Sequence, residues 1–178
     1  ALQNATLHHV LTQCPVHATA ELREFTLMGG NHRHVIAAAR IRDTECDDSE
    51  RLVLNLPDTT PHAFVTVTDA DFSRMGRLLA NMEKYERYGR PICEYEYIEL
   101  ADDEFLIQNG RVGAMMVPAE YSSSLHRLGE IFDFHRQRVH FLMPVFLSPS
   151  ENDLRLRSGA DALLASWNKA GRDLVTFA

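Results

Sequence analysis

The sequence has only three cysteines, Cys14, Cys46 and Cys93, widely separated and without a C-x-x-C pair. That spacing suits neither a disulfide framework nor a zinc or redox motif, and it fits a reducing compartment where cysteine is a small apolar side chain. A cytoplasmic location is therefore the expectation. The chain also lacks any apolar run near the roughly 20 residues that cross a bilayer, and its first segment has no basic stretch leading into an apolar one. No membrane insertion or export is expected. Positive charge is in deficit as well: 18 Lys and Arg stand against 25 Asp and Glu, a net charge of −7. Nucleic-acid affinity comes mainly from clustered Lys and Arg, so a phosphate-binding surface is disfavoured and a basic protein partner is allowed.

No repeat, low-complexity tract or Pro/Gly/Ser-rich linker divides the 178 residues, which read as one domain spanning residues 1–178. The spacing of Leu7, Val10 and Leu11 predicts a helix over residues 2–13, stopped near Pro15, with His8 and His9 on its exposed side. Strands are predicted at 21–27 and 34–41 around the Gly29-Gly30-Asn31 turn, at 51–56 with Leu52, Leu54 and Leu56 on one face, and at 63–68. Between the second and third lies Asp43-Thr44-Glu45-Cys46-Asp47-Asp48-Ser49-Glu50, five carboxylates without a base, which predicts a solvated hairpin loop.

Phe72, Met75, Leu78, Leu79, Met82 and Tyr85 mark one face of a helix over 71–88, capped by Asp69 or Asp71 and stopped by Gly89 and Pro91. Alternation in 92–100 predicts a strand with Cys93, Tyr95 and Tyr97 inward and Glu94 and Glu96 on the other face, followed by the acidic Asp102-Asp103-Glu104. Asn109-Gly110 predicts a hairpin joining 105–107 to 112–117. The apolar run 139–147 predicts a strand covered on both faces. Ser148-Pro149-Ser150-Glu151 then has the chemistry of a helix start, Gly159 breaks that helix, a second helix covers 160–170, and a short strand is expected over 173–177.

The succession Leu125-His126-Arg127-Leu128-Gly129-Glu130-Ile131, Val139-His140-Phe141-Leu142-Met143-Pro144-Val145, Ser150-Glu151-Asn152-Asp153-Leu154 and Gly159-Ala160-Asp161-Ala162-Leu163-Leu164 resembles the end of a suppressor-of-fused (Sufu)-type domain. There a strand ending in Pro-Val leads into a short acidic helix, a glycine and a helix carrying Ala-Leu-Leu. More loosely, 51–56 and the helix over 71–88 resemble the family's earlier strand and the helix after it. The resemblance implies an α+β fold with a central mixed, largely antiparallel β-sheet flanked by helices. Eukaryotic members bind and restrain a transcription factor with the help of a second, C-terminal domain, which these residues are not expected to include. The chain looks like the stand-alone bacterial type, for which the resemblance implies a binding module, such as an immunity protein paired with a secreted toxin.

Chemistry is harder to find. His32-x-His34 on a strand puts two rings on one face, and His135 and His140 lie five apart, but neither pair has a carboxylate or cysteine at ligand spacing, so no metal site or cofactor is expected. Ser122-Ser123-Ser124 lacks a nucleophile elbow, and Gly29-Gly30 lacks the rest of a phosphate loop. The first reading is therefore non-enzymatic: another protein, such as a basic toxin domain, is met by Asp43, Glu45, Asp47, Asp48, Glu94, Glu96, Asp102, Asp103 and Glu104, with no catalytic residue. The second is a hydrolase or metal-dependent enzyme in which His32, His34, His135 or His140 converge with a carboxylate in one pocket. Monomer and homodimer both remain open.

Overall fold

The computed structural model describes residues 1–42 and 50–174. Its elements are α1 (Leu2–Gln13), β1 (Glu21–Thr26), β2 (Arg33–Arg40), β3 (Arg51–Asn55), β4 (His62–Thr68), α2 (Phe72–Tyr88), β5 (Tyr97–Glu99), α3 (Glu104–Gln108), β6 (Gly113–Pro118), β7 (Ile131–Phe134), β8 (Gln137–Leu147) and α4 (Pro149–Ala170). The strands make one sheet in the order β1-β2-β3-β4-β8-β6-β5, with β7 also paired to β8. All pairings are antiparallel except β4 with β8, where His62, Ala63 and Phe64 lie beside His140, Phe141 and Leu142. The α+β fold is thus a mixed, largely antiparallel sheet flanked by helices.

Strand alternation divides the apolar side chains between two cores. Leu52, Leu54 and Leu56, with Val139, Phe141, Met143 and Val145 of β8, pack beneath Val10 of α1 and Leu163 and Trp167 of α4. On the other face, Ile36, Val53, Phe64, Leu142 and Phe146 meet Phe72, Met75, Leu79 and Met82 of α2, together with Leu106 of α3. A sheet covered on both sides explains why β8 reads as an unbroken apolar run.

Local chemistry sets the helix ends. Asp71 caps α2 by accepting a 3.0 Å hydrogen bond from the Ser73 amide. At α4, Ser148 Oγ accepts from the Glu151 amide at 3.2 Å, while Glu151 Oε1 accepts from the Ser148 amide at 3.0 Å, a complete capping box. Gly159 interrupts α4 with φ 87°, as its place in the sequence predicted.

Several expectations need correction. The strand predicted for 92–100 is confined to Tyr97–Glu99, because Tyr95 takes a left-handed conformation (φ 63°) that ends the alternation; Cys93 is exposed rather than a core filler. The predicted hairpin around Asn109-Gly110 is instead the short helix α3 and its terminus: Asp103 caps it through the Leu106 amide, and Gly110 (φ 66°) supplies the left-handed exit. Tyr85 is 44% exposed, outside the buried stripe of α2. His8 is exposed, but His9 stacks on Phe132 with ring centroids 4.5 Å apart. The acidic loop lies, for residues 43–49, outside the described residues, and so does most of the strand expected at 173–177.

Candidate functional site: a buried histidine–carboxylate network and an acidic rim

The apolar stripe of α2 continues past Met82 onto two carboxylates. Glu83 lies four residues after Leu79 and Glu86 four after Met82, so both turn toward the sheet, and both are buried. Beneath them the same sheet face presents His34 from β2, Asn55 from β3 and His62 from β4, with His32 just before β2. Glu83 Oε1 lies 2.8 Å from His34 Nδ1 and 3.5 Å from His32 Nε2. Its other oxygen accepts a 2.6 Å hydrogen bond from Asn55 Nδ2. Asn55 is itself fixed, since its Oδ1 accepts from the Phe64 amide at 2.6 Å. A second pair lies alongside: Glu86 Oε2 is 2.6 Å from His62 Nδ1 and accepts from the Ile92 amide at 2.8 Å.

Outside this network stands Asp58, 4.0 Å from His32 Nε2 and 3.2 Å from Arg87 Nη1. Burial pushes its carboxyl pKa up, but the Thr59 amide together with His32 and Arg87 prevails and holds it below the usual range. His140, beside His62 with ring centroids 5.6 Å apart, is held below the ordinary histidine value by burial, then by His62 and Arg138. The side chains of His34, Glu83 and Glu86 are almost wholly buried, at 2%, 1% and 0% exposed, and His32 and His62, at 15% and 13%, present an edge to the surface.

A different chemistry surrounds Glu94. It follows α2 in the chain, and its pKa is raised by burial, then by a side-chain hydrogen bond to Glu130 and by the charges of Glu130 and Glu120. Glu94 and Glu130 are thus neighbours under the charge of Glu120, partly offset by His62, and among the described residues none of the three carboxylates is ion-paired to Lys or Arg. Next to them Tyr95 and Tyr121 place their hydroxyls 3.4 Å apart, with Tyr121 51% exposed. Tyr121 also borders a cavity of about 380 Å³ lined by Val117, Leu164, Trp167 and Leu174 together with Asn168 and Arg172.

No family model matches the chain, and no curated relative matches it either. Among solved structures, the crystal structure of a candidate SUFU (suppressor of fused protein) homologue from Neisseria gonorrhoeae is similar over 98% of this chain and 91% of that one, with a TM-score of 0.68 at 12% identity. The chain has a suppressor-of-fused-like fold. At that identity the likeness concerns the backbone, and the site must be argued from this chain's own side chains.

On the suppressor-of-fused-like scaffold the acidic residues singled out in the sequence part ways. Asp43, Glu45, Asp47 and Asp48 lie outside the described residues. Glu96 pairs with Arg90 at 2.5 Å, Asp103 caps α3, Glu104 sits in the first turn of that helix, and Asp102 is exposed in the preceding turn. Glu94 instead joins Glu120 and Glu130, neither of which was singled out. Of the histidines, His32 and His34 converge with a carboxylate, whereas His135 occupies the β7–β8 turn and His140 adjoins His62. The carboxylate comes from α2, 49 residues beyond His34, a separation that local ligand spacing cannot reveal. The α2 periodicity could have revealed it, had the stripe been continued through 79, 83 and 86.

Proposed function

We propose that this chain is a non-enzymatic protein-binding module of the cytoplasm that docks a basic partner, most concretely a toxin domain that it neutralises. The observation that carries the reading is the pairing of Glu94 with Glu130 under the charge of Glu120, with no Lys or Arg ion-paired to the three among the described residues, next to exposed Tyr121 and a cavity lined by both apolar and polar side chains. Like charges held together are unfavourable, and a partner's Lys or Arg seated among them would relieve that cost. An exposed tyrosine at the edge of a recess with an apolar wall is the kind of residue that supplies a binding hot spot, while the nearby carboxylates steer the approach.

Co-purification at low ionic strength with the product of an adjacent secreted-toxin gene tests this, together with rescue of toxin-exposed cells. The double change Glu94→Gln and Glu130→Gln is expected to slow association and flatten its salt dependence. Binding unaffected by that change, or cells left unprotected, would sink the proposal.

A further inference from the structure

The geometry points to a divalent metal site of the zinc class at His32, His34 and Glu83. One nitrogen from each ring and a carboxylate oxygen lie within 4.8 Å of one another. Around a tetrahedral ion with bonds of about 2.0–2.1 Å, neighbouring ligand atoms sit roughly 3.3 Å apart. Here Glu83 Oε1 is 2.8 Å from His34 Nδ1 and 3.5 Å from His32 Nε2, so small side-chain shifts admit the ion. The longer separation is also too great for a good hydrogen bond, and the His32 ring is otherwise held by its edge contact with His34, ring centroids 4.7 Å apart.

Three further features favour a metal over a bare ion pair. The Glu83 carboxylate is oriented from behind: Asn55 Nδ2 holds Oε2 at 2.6 Å and leaves Oε1 to the imidazoles, the role that outer-shell hydrogen bonds play in metal sites. Negative charge is at hand, because Glu83 carries −1 and Asp58, which it shares with Arg87, stands 4.0 Å from His32 Nε2. The partly exposed edge of His32 gives an entry path, and Asp58, 4.0 Å from His32 Nε2, or water would be the fourth ligand. Two imidazoles and one carboxylate favour zinc and its neighbours over calcium or magnesium, which prefer oxygen alone. Enclosed between α2 and the sheet, the ion would tie His32 and the start of β2 to the C-terminal half of α2.

Cobalt(II) is the probe, because a tetrahedral or five-coordinate imidazole–carboxylate site gives visible d–d bands that zinc abolishes on displacing it. Metal-stripped protein is expected to bind one equivalent of cobalt(II), exchangeable for zinc, with a rise in thermal midpoint that EDTA reverses. His32→Ala changes a partly exposed side chain and should lower the affinity by about 100-fold, since it removes a ligand outright where outer-shell losses cost about 10–100-fold. His126→Ala, at an exposed histidine elsewhere, should bind as the wild type does. Wild-type protein that develops no d–d bands at stoichiometric metal overturns the assignment, and so does equal affinity in His32→Ala.

Discussion

Glu83 and His34 meet at 2.8 Å between α2 and β2, each with its side chain almost wholly withdrawn from water. Removing one member of such a pair strands the other, so truncation costs more than the pair itself contributes. Glu83→Ala leaves both His34 and Asn55 without the carboxylate they face and is expected to lose about 3–5 kcal/mol, measured by urea unfolding in EDTA. Combining His34→Phe with Glu83→Leu should cost clearly less than the two single changes added together, because the apolar pair leaves no buried charge behind.

Glu151 links the start of α4 to its end. Burial raises its pKa, but the Ser148 amide, Arg172 and the Trp167 indole outweigh burial and hold the carboxyl below the ordinary glutamate range. A depressed carboxylate pKa gives stability that is complete above the unfolded value of about 4.3 and is lost as acid titrates the folded group. Thermal melts from pH 6 down to pH 3 should therefore fall less steeply in Glu151→Gln than in the wild type. Ser148→Ala, which removes the reciprocal cap, is expected to cost about 1 kcal/mol at neutral pH.

His140 shows the opposite charge type with the same direction in pH. Burial, His62 and Arg138 lower its pKa, outweighing Glu130 and Asp133, so the folded protein takes up this proton later than the unfolded chain does. The associated stability is present above the unfolded histidine value of about 6.5 and declines as pH falls through the folded value. An NMR titration should place the His140 ring midpoint below the ordinary histidine value of about 6.5, and His140→Asn should reduce the loss of stability between neutral pH and pH 5.5.

Gly113 pairs with Glu99 where β6 runs antiparallel to β5. A Cβ there would collide with the Ile98 carbonyl and the Tyr97 hydroxyl, and the carbonyl belongs to the sheet and cannot yield. Gly113→Ala is expected to lose about 1–3 kcal/mol by overpacking, while Gly110→Ala, with open space around it, should be limited to the smaller cost of its left-handed backbone (φ 66°). Comparing urea midpoints of the two variants checks this.

What the sequence made legible was whatever periodicity or local chemistry encodes. The apolar stripe through Phe72, Met75 and Leu79, the alternating leucines of β3, the covered run of β8 and the capping box at Ser148 were all readable, because each follows from one element meeting one neighbour. The missed features depend on distant partners. Tyr95 carries no residue-type signal for its φ of 63°, so the strand seemed to run through it. The hairpin between β7 and β8 turns through His135 (φ 56°), without the Asn-Gly pair that advertises such turns. Asn109-Gly110 does advertise one, but the same left-handed tolerance serves equally to end a helix. The histidine network was hidden for the converse reason: Glu83 and Glu86 look like solvated helix charges until the sheet beneath them is known to offer imidazoles.

The order in which the strands are synthesised differs from the order in which they lie. β8 follows every other strand among the described residues yet fills the space between β4 and β6, forming the one parallel junction among them at His62 and His140. During translation, therefore, the β1–β4 meander must wait with the flank of β4 uncovered until residues 137–147 have left the ribosome. A nascent chain stalled before that point is a template for pairing with another copy of itself, and chaperone protection should be needed most in that interval.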